Sequence, residues 1–198
     1  MKTEQASPLF GRRVLVAVSG SIAAVKTPLL VSALIKAGAE VRCLVTTSGA
    51  ALVSPVALAS LSRHRCYLEV DQWDSASSRP LHIELAEWAE LAIVAPLSAS
   101  SLSRWSQGSA DGLLASVLLA MEAPVIAAPA MNTAMWRHPA VQRNLQQIQS
   151  FPGVISLVPA SGLLACDRVG DGRMADPPCA QLRPVSYTHL RAHETVVY

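Results

Sequence analysis

Charge is scarce in this sequence, and so are aromatic side chains. Only 15% of the 198 residues are Asp, Glu, Lys or Arg and 5% are aromatic, against 51% hydrophobic. A chain this apolar is not disordered and is long enough to bury a sizeable core. The formal charge is +2 with no block of like charges, so nothing asks for nucleic acid. No apolar run is long enough to span a bilayer, and Met1-Lys-Thr-Glu-Gln5 lacks the pattern of a signal peptide, so no membrane partner is expected. Cys43, Cys66, Cys166 and Cys179 lack the close-paired spacing of a metal site, so no metal is expected. A reduced, cytoplasmic setting is the economical expectation.

What the chain has is a succession of short buried runs. Arg13-Val-Leu-Val-Ala-Val-Ser19, Glu40-Val-Arg-Cys-Leu-Val-Thr46, Leu91-Ala-Ile-Val-Ala-Pro96, Pro124 to Ala128 and Gly153 to Pro159 predict five strands. Near-continuous apolar strands belong to parallel sheets covered on both faces. Helical periodicity fills the intervals: Ile22 to Gly38, a helix through Pro55, an interrupted helix over 102–121 and a helix over 133–150. This βαβ order predicts an α/β fold with a doubly wound parallel sheet. Residues 69–81 predict a polar loop, and the glycines around Cys166 predict a mobile or tightly turned one.

The strand ends carry the chemistry. Gly20-Ser21 joins the first strand to a helix; it either cradles a phosphate on backbone N–H groups or merely turns and caps. Thr46-Thr-Ser-Gly49 and Leu97-Ser-Ala-Ser-Ser101 bring hydroxyls to two further strand ends, and Pro129-Ala-Met-Asn132 brings an amide to a fourth. Such ends are where open α/β sheets bind ligands. His82 opens a short amphipathic segment and suits proton transfer near neutral pH, although a lone loop histidine is commonly structural. Cys166, in polar and glycine-rich company, is either a reactive thiol or a small filler.

Together these motifs resemble the flavin-dependent cysteine decarboxylases. The resemblance rests on Gly20-Ser-Ile-Ala-Ala-Val-Lys26, His82-Ile-Glu-Leu-Ala86, Ala95-Pro-Leu-Ser-Ala99, Pro129-Ala-Met-Asn132, Ala165-Cys166 and Gly170-Asp-Gly-Arg-Met174, spread over about residues 12–177. It implies a Rossmann-like, flavodoxin-like three-layer sandwich with FMN as cofactor. Gly20, Ser21, Ile22, Thr46 and Ser48 would hold the FMN phosphate, and Ser98, Ala99, Ser100 and Ser101 would line the flavin. His82 would be the base, Asn132 would bind the substrate carboxylate, and Cys166 would be the proton donor on a flap. Met131, Ala165 and Arg173 would complete the substrate site. The implied reaction is decarboxylation of 4′-phosphopantothenoylcysteine to 4′-phosphopantetheine in coenzyme A biosynthesis. Oxidation to a thioaldehyde provides an acceptor for the electron pair left by CO₂, and the resulting ene-thiol is reduced again. The implied assembly is a homo-oligomer, a trimer or dodecamer.

Three features depart from the family's pattern: Ser100-Ser101 stands where an Asn or Thr is usual, Leu52 where some members have an aromatic, and Cys166-Asp-Arg168 where many have Cys-Gly-Asp. The expected organisation is a lead-in at 1–11, an FMN-binding decarboxylase domain at 12–181, and a tail at 182–198 that resembles read-through of adapter DNA. His189 and His193 within that tail, with no third ligand, read as incidental. Alternatives of the same fold are a peptidyl-cysteine decarboxylase and a non-catalytic flavin-binding regulator; the latter is disfavoured by Cys166 and the lack of an acidic tail. A flavin prenyltransferase would not be expected to combine His82, Pro-Ala-Met-Asn and the cysteine flap.

Overall fold

Apolar runs without polar interruption become strands that helices must cover on both faces. In the computed structural model, which describes residues 7, 9–74, 78–163 and 169–175, these runs are β1 (Arg13–Val18), β2 (Glu40–Val45), β3 (Cys66–Leu68), β4 (Leu91–Leu97), β5 (Val125–Pro129) and β6 (Val154–Ser156). They form one parallel sheet in the order β3-β2-β1-β4-β5-β6. The helices are α1 (Thr27–Lys36), α2 (Thr47–Ala50), α3 (Pro55–Ser62), α4 (Leu81–Trp88), α5 (Ala99–Ser106), α6 (Leu113–Ala120), α7 (Thr133–Arg137) and α8 (Pro139–Gln149). The doubly wound α/β sheet is as the sequence implies.

Strand alternation sends successive side chains to opposite faces. Val14, Val16 and Val18 enter a core with Leu30, Val31 and Leu34 of α1 and Leu58 of α3. Leu15 and Ala17 enter a second core with Leu85 of α4, Leu102 of α5, Leu113 of α6 and Ile148 of α8. The crossover after β1 therefore runs on one face and the crossover after β4 on the other, although β1 and β4 pair directly. Their carboxyl ends are the point where the winding reverses, and chains that part there leave a crevice.

Local differences from the sequence reading have local causes. The helix expected from Ile22 begins as a 3-10 turn over Ile22–Lys26 and becomes α1 at Thr27, where Pro28 lies in the first turn. β3 was not expected; three residues are too few to show a period. The polar loop after it contains a 3-10 turn, Glu69–Trp73. The glycine-rich stretch contains an antiparallel hairpin, β7 (Ala160–Leu163) with β8 (Val169–Arg173), which two short strands that themselves carry glycines did not reveal. Ala165, Cys166 and the tail at 182–198 lie outside the described residues.

Two buried hydroxyls close the seam between β1 and β4. Ser19 is fully buried; its Oγ donates to the Pro96 carbonyl at 2.7 Å and accepts from the Ser98 N–H at 2.7 Å. Thr27 Oγ1 donates to the Ala95 carbonyl at 2.9 Å. Replacing Ser19 by Ala leaves the Pro96 carbonyl its bond from the residue-19 N–H but takes the hydroxyl acceptor from the Ser98 N–H, and an unsatisfied buried group costs roughly 1–3 kcal/mol. Urea unfolding of Ser19→Ala is expected to show a loss in that range; an unchanged midpoint would show that the seam does not depend on this hydroxyl.

Candidate active site

The crevice is a cavity of about 670 Å³ over the carboxyl ends of β1, β4 and β5. That is the size of a cofactor site. From the end of β1 come Gly20, Ser21, Ile22 and Lys26; from the end of β4 come Ser98, Ala99 and Ser100; from the end of β5 come Met131 and Asn132; the hairpin adds Gly172, Arg173 and Met174. Residues more than a hundred positions apart thus share one wall. Among the described residues the lining carries two cations, Lys26 and Arg173, and no carboxylate, which suits an anionic ligand.

The turn after β1 is built for close approach. A β-carbon at position 20 would sit 2.6 Å from Ser48 Cβ, so only glycine lets the β1 and β2 ends meet there. Ser21 occupies the N-cap position of the 3-10 turn, but its hydroxyl makes no capping bond. Of the two readings of Gly20-Ser21, capping by the hydroxyl is therefore absent. Ser48 is exposed beside Gly20, next to the cavity though not among its lining residues. A phosphate held between a glycine turn and a hydroxyl fits these residues.

Thr46 and Ser101 are placed differently. Thr46 Oγ1 accepts from the Gly49 N–H at 3.1 Å and caps α2. Ser101 is buried, and its hydroxyl lies 3.3 Å from that of Ser98, which in turn caps α5 by accepting from the Ser101 N–H. Both Thr46 and Ser101 face a second, much smaller recess instead of the main cavity.

Asn132 caps α7: its Oδ1 accepts from the Met135 N–H at 2.8 Å. The cap engages the carbonyl end of the amide and leaves the Nδ2 donors for a ligand. The hairpin meets Met131 through its backbone. The Met131 N–H donates to the Gly172 carbonyl at 3.0 Å, and Gly172 has a φ of +119°, with the Met131 carbonyl where a β-carbon would be.

His82 is not brought to the cavity within one chain. It sits in the first turn of α4, on the side of the second core, because Leu81 and Leu85 bury against that face. Its Nδ1 is buried and makes no hydrogen bond among the described residues. Sequence reasoning in turn gave no site role to Val25, Lys26 and Met174, quoted only as motif residues, or to Met135, all of which line the cavity. Met135 could have been found from its place three residues after Asn132, one helical turn on; Val25 and Lys26 depended on a 3-10 turn that sequence periodicity reads as α-helix.

Cys43 and Cys66 stand opposite each other in the β2–β3 register. Burial, with the neighbouring Cys66 thiol, pushes Cys43 up to about 12; burial, with the Asp71 carboxylate, pushes Cys66 up to about 11. Both are protonated at neutral pH, and the thiol form is a poor nucleophile. Iodoacetamide at pH 8 is expected to modify each at least about tenfold more slowly than free cysteine; mass spectrometry of the native protein, peptide by peptide, checks this, and fast labelling of either would contradict its burial.

Comparisons with known proteins bear on the family and the fold. The family described as Flavoprotein matches residues 2–179. The Coenzyme A biosynthesis bifunctional protein CoaBC of Bacillus subtilis (strain 168) is 43% identical over 169 residues, which are 85% of this chain and 41% of that protein. The chain thus spans about two fifths of the length of such bifunctional relatives. The phosphopantothenoylcysteine decarboxylase of Mus musculus is 39% identical over 170 residues, covering 83% of this chain and 81% of that one. Among solved structures, the FMN binding protein AtHal3 superimposes with a TM-score of 0.75 at 34% identity, covering 94% of this chain and 99% of that chain.

Proposed function

The chain belongs to the flavoprotein family, and on that premise we propose that it binds FMN and decarboxylates 4′-phosphopantothenoylcysteine to 4′-phosphopantetheine in cytoplasmic coenzyme A biosynthesis. The observation that carries the reading is the single cavity that unites the Gly20–Ile22 turn, the Ser98–Ser100 strand end and Asn132. Gly20, Ser21, Ile22 and Ser48 would hold the phosphate of FMN, and Ser98, Ala99 and Ser100 would line its ring. Bound FMN would supply the two-electron acceptor that a plain cysteine carboxylate lacks.

The chain's own residues do the rest. The Nδ2 donors of Asn132, fixed by the α7 cap, bind the carboxylate that leaves as CO₂, and an amide donor held in place does not reorganise as charge moves. Met131 and Arg173 shape the wall beside it. His82 takes the thiol proton. Because α4 holds it away from the cavity of its own chain, His82 would serve the cavity of a neighbouring copy, so the protein works as a homo-oligomer, a trimer or a dodecamer. Ile22 and Val25, both more than half exposed at the cavity rim, are apolar surface such a copy would cover. Cys166 and Ala165 are proposed for the acid-bearing segment from the sequence motif alone. Among the described residues no helix is long and apolar enough to cross a membrane.

The test is direct. Purified protein is expected to be yellow, to exceed monomer mass in light scattering and to release CO₂ from 4′-phosphopantothenoylcysteine. Asn132→Asp keeps a capping oxygen but exchanges two donors for a negative charge, so it should retain flavin while kcat/KM falls by about 10²-fold or more. His82→Asn should lose turnover, and Cys166→Ser should stop at an oxidised product. Folded but colourless protein, or an Asn132→Asp variant with full activity, would refute the reading; turnover of peptide C-terminal cysteine alone would move it to the peptidyl substrate.

A further inference from the structure

Gly170 and Gly172 flank Asp171 on β8, and the strand face they present has no side chains. A β-carbon at 170 would strike Thr133 Oγ1, and one at 172 would strike the Met131 carbonyl. That face therefore lies flat on residues 131–133, and side-chain packing into the core resumes only at Met174, just past the strand. Along β8 itself the Met131 N–H donates to the Gly172 carbonyl, and three further hydrogen bonds converge on Asp171. Its carbonyl accepts from Thr133 Oγ1 at 2.8 Å; its carboxylate accepts from Arg137 Nη2 at 3.1 Å and from Ser161 Oγ. One residue thus touches α7 at both ends and the partner strand β7. Two residues further along β8 is Arg173, whose side chain lies over Gly162 and lines the cavity.

Resting on the function proposed above, we propose that Asp171 is a positioning residue for substrate binding: it fastens the hairpin to α7 and so sets the place of Arg173 and of the Met131–Asn132 peptide at the cavity wall. The Ser161 hydroxyl first, and then the Arg137 guanidinium, hold its carboxyl below the usual carboxylate range, so the contact is charged throughout the neutral range. Arg137 and Asp171 are both well exposed, with side chains 69% and 42% accessible. An ion pair in that setting adds little to global stability. Its effect is local, on a strand whose side chains at Asp171 and Arg173 are only half-buried. Binding groups displaced by about 1 Å can lose large factors in rate, so a loose wall is felt by the substrate before the fold feels it.

The test uses the full chain with FMN bound and the variants Asp171→Asn, Arg137→Gln and both together. Asp171→Asn is expected to raise KM for 4′-phosphopantothenoylcysteine roughly tenfold with kcat within about threefold of wild type and flavin absorbance unchanged. Arg137→Gln should shift KM in the same direction, and the double variant should be no worse than Asp171→Asn, because the two side chains share one contact. Hydrogen exchange at the Met131 amide, protected by the Gly172 carbonyl, should be at least about tenfold faster in Asp171→Asn. An unchanged KM, additive single effects, or flavin loss together with a fall in kcat would overturn the assignment. If the wild-type protein turns over no substrate, the proposed function fails; Met131 exchange still decides the role of Asp171, faster exchange upholding the fastening and unchanged exchange rejecting it.

Discussion

Parallel strands end on one edge of the sheet, and the chain leaving each end must turn toward one face or the other. In this protein β1 turns one way and β4 the other, while the two strands remain paired through Val14, Val16 and their neighbours. The separation at their ends is the cavity. Everything placed there depends on that seam staying closed beneath it, which is why a fully buried serine spans it, bonded to two backbone groups some 77 residues away in sequence. A polar group buried in an apolar sheet is tolerable only when its bonds are all made, and Ser19 meets that condition with one donor and one acceptor contact.

Glycine acts in this site through what it leaves out. Gly20 lets the β1 end approach Ser48, and Gly172 lets the hairpin lie against the Met131 carbonyl. Both create walls made of backbone, which present N–H and C=O groups at fixed positions and lose little on meeting a ligand. The cost is weak lateral restraint along β8, where interlocking begins only at Met174, buried in the core just past the strand. Asp171, between two glycines, carries the hydrogen bonds that interlocking side chains would otherwise replace.

The two layers of the sandwich divide the proposed chemistry. The Gly20 turn belongs to the layer of α1 and α3, whereas His82 belongs to the layer of α4, committed there by Leu81 and Leu85. The proposed base lies on the far layer of its own chain, so the proposed site would be completed by another copy, for which exposed Ile22 and Val25 at the rim offer apolar surface. The charge pattern fits the same division: the cavity wall carries Lys26 and Arg173, while Glu84, two residues from His82, pairs with Arg42 outside it.

The linear order of residues by itself determined five of the six sheet strands, the main helices that cover them and the parallel, doubly wound sheet, because burial on both faces requires unbroken apolar runs and helices require a 3.6-residue period. It also marked Gly20, Ser98 and Asn132 as strand-end residues, since a turn or cap residue following such a run is visible locally. Tertiary structure alone decided that the β1 and β4 ends face one cavity while Thr46 and Ser101 turn to another recess, that Ser48 meets Gly20, and that His82 stands apart. It also decided that the stretch around Gly170 and Gly172 forms a hairpin on α7. These outcomes depend on crossover direction and strand register, which relate residues tens to hundreds of positions apart and leave no trace in the period of any one segment.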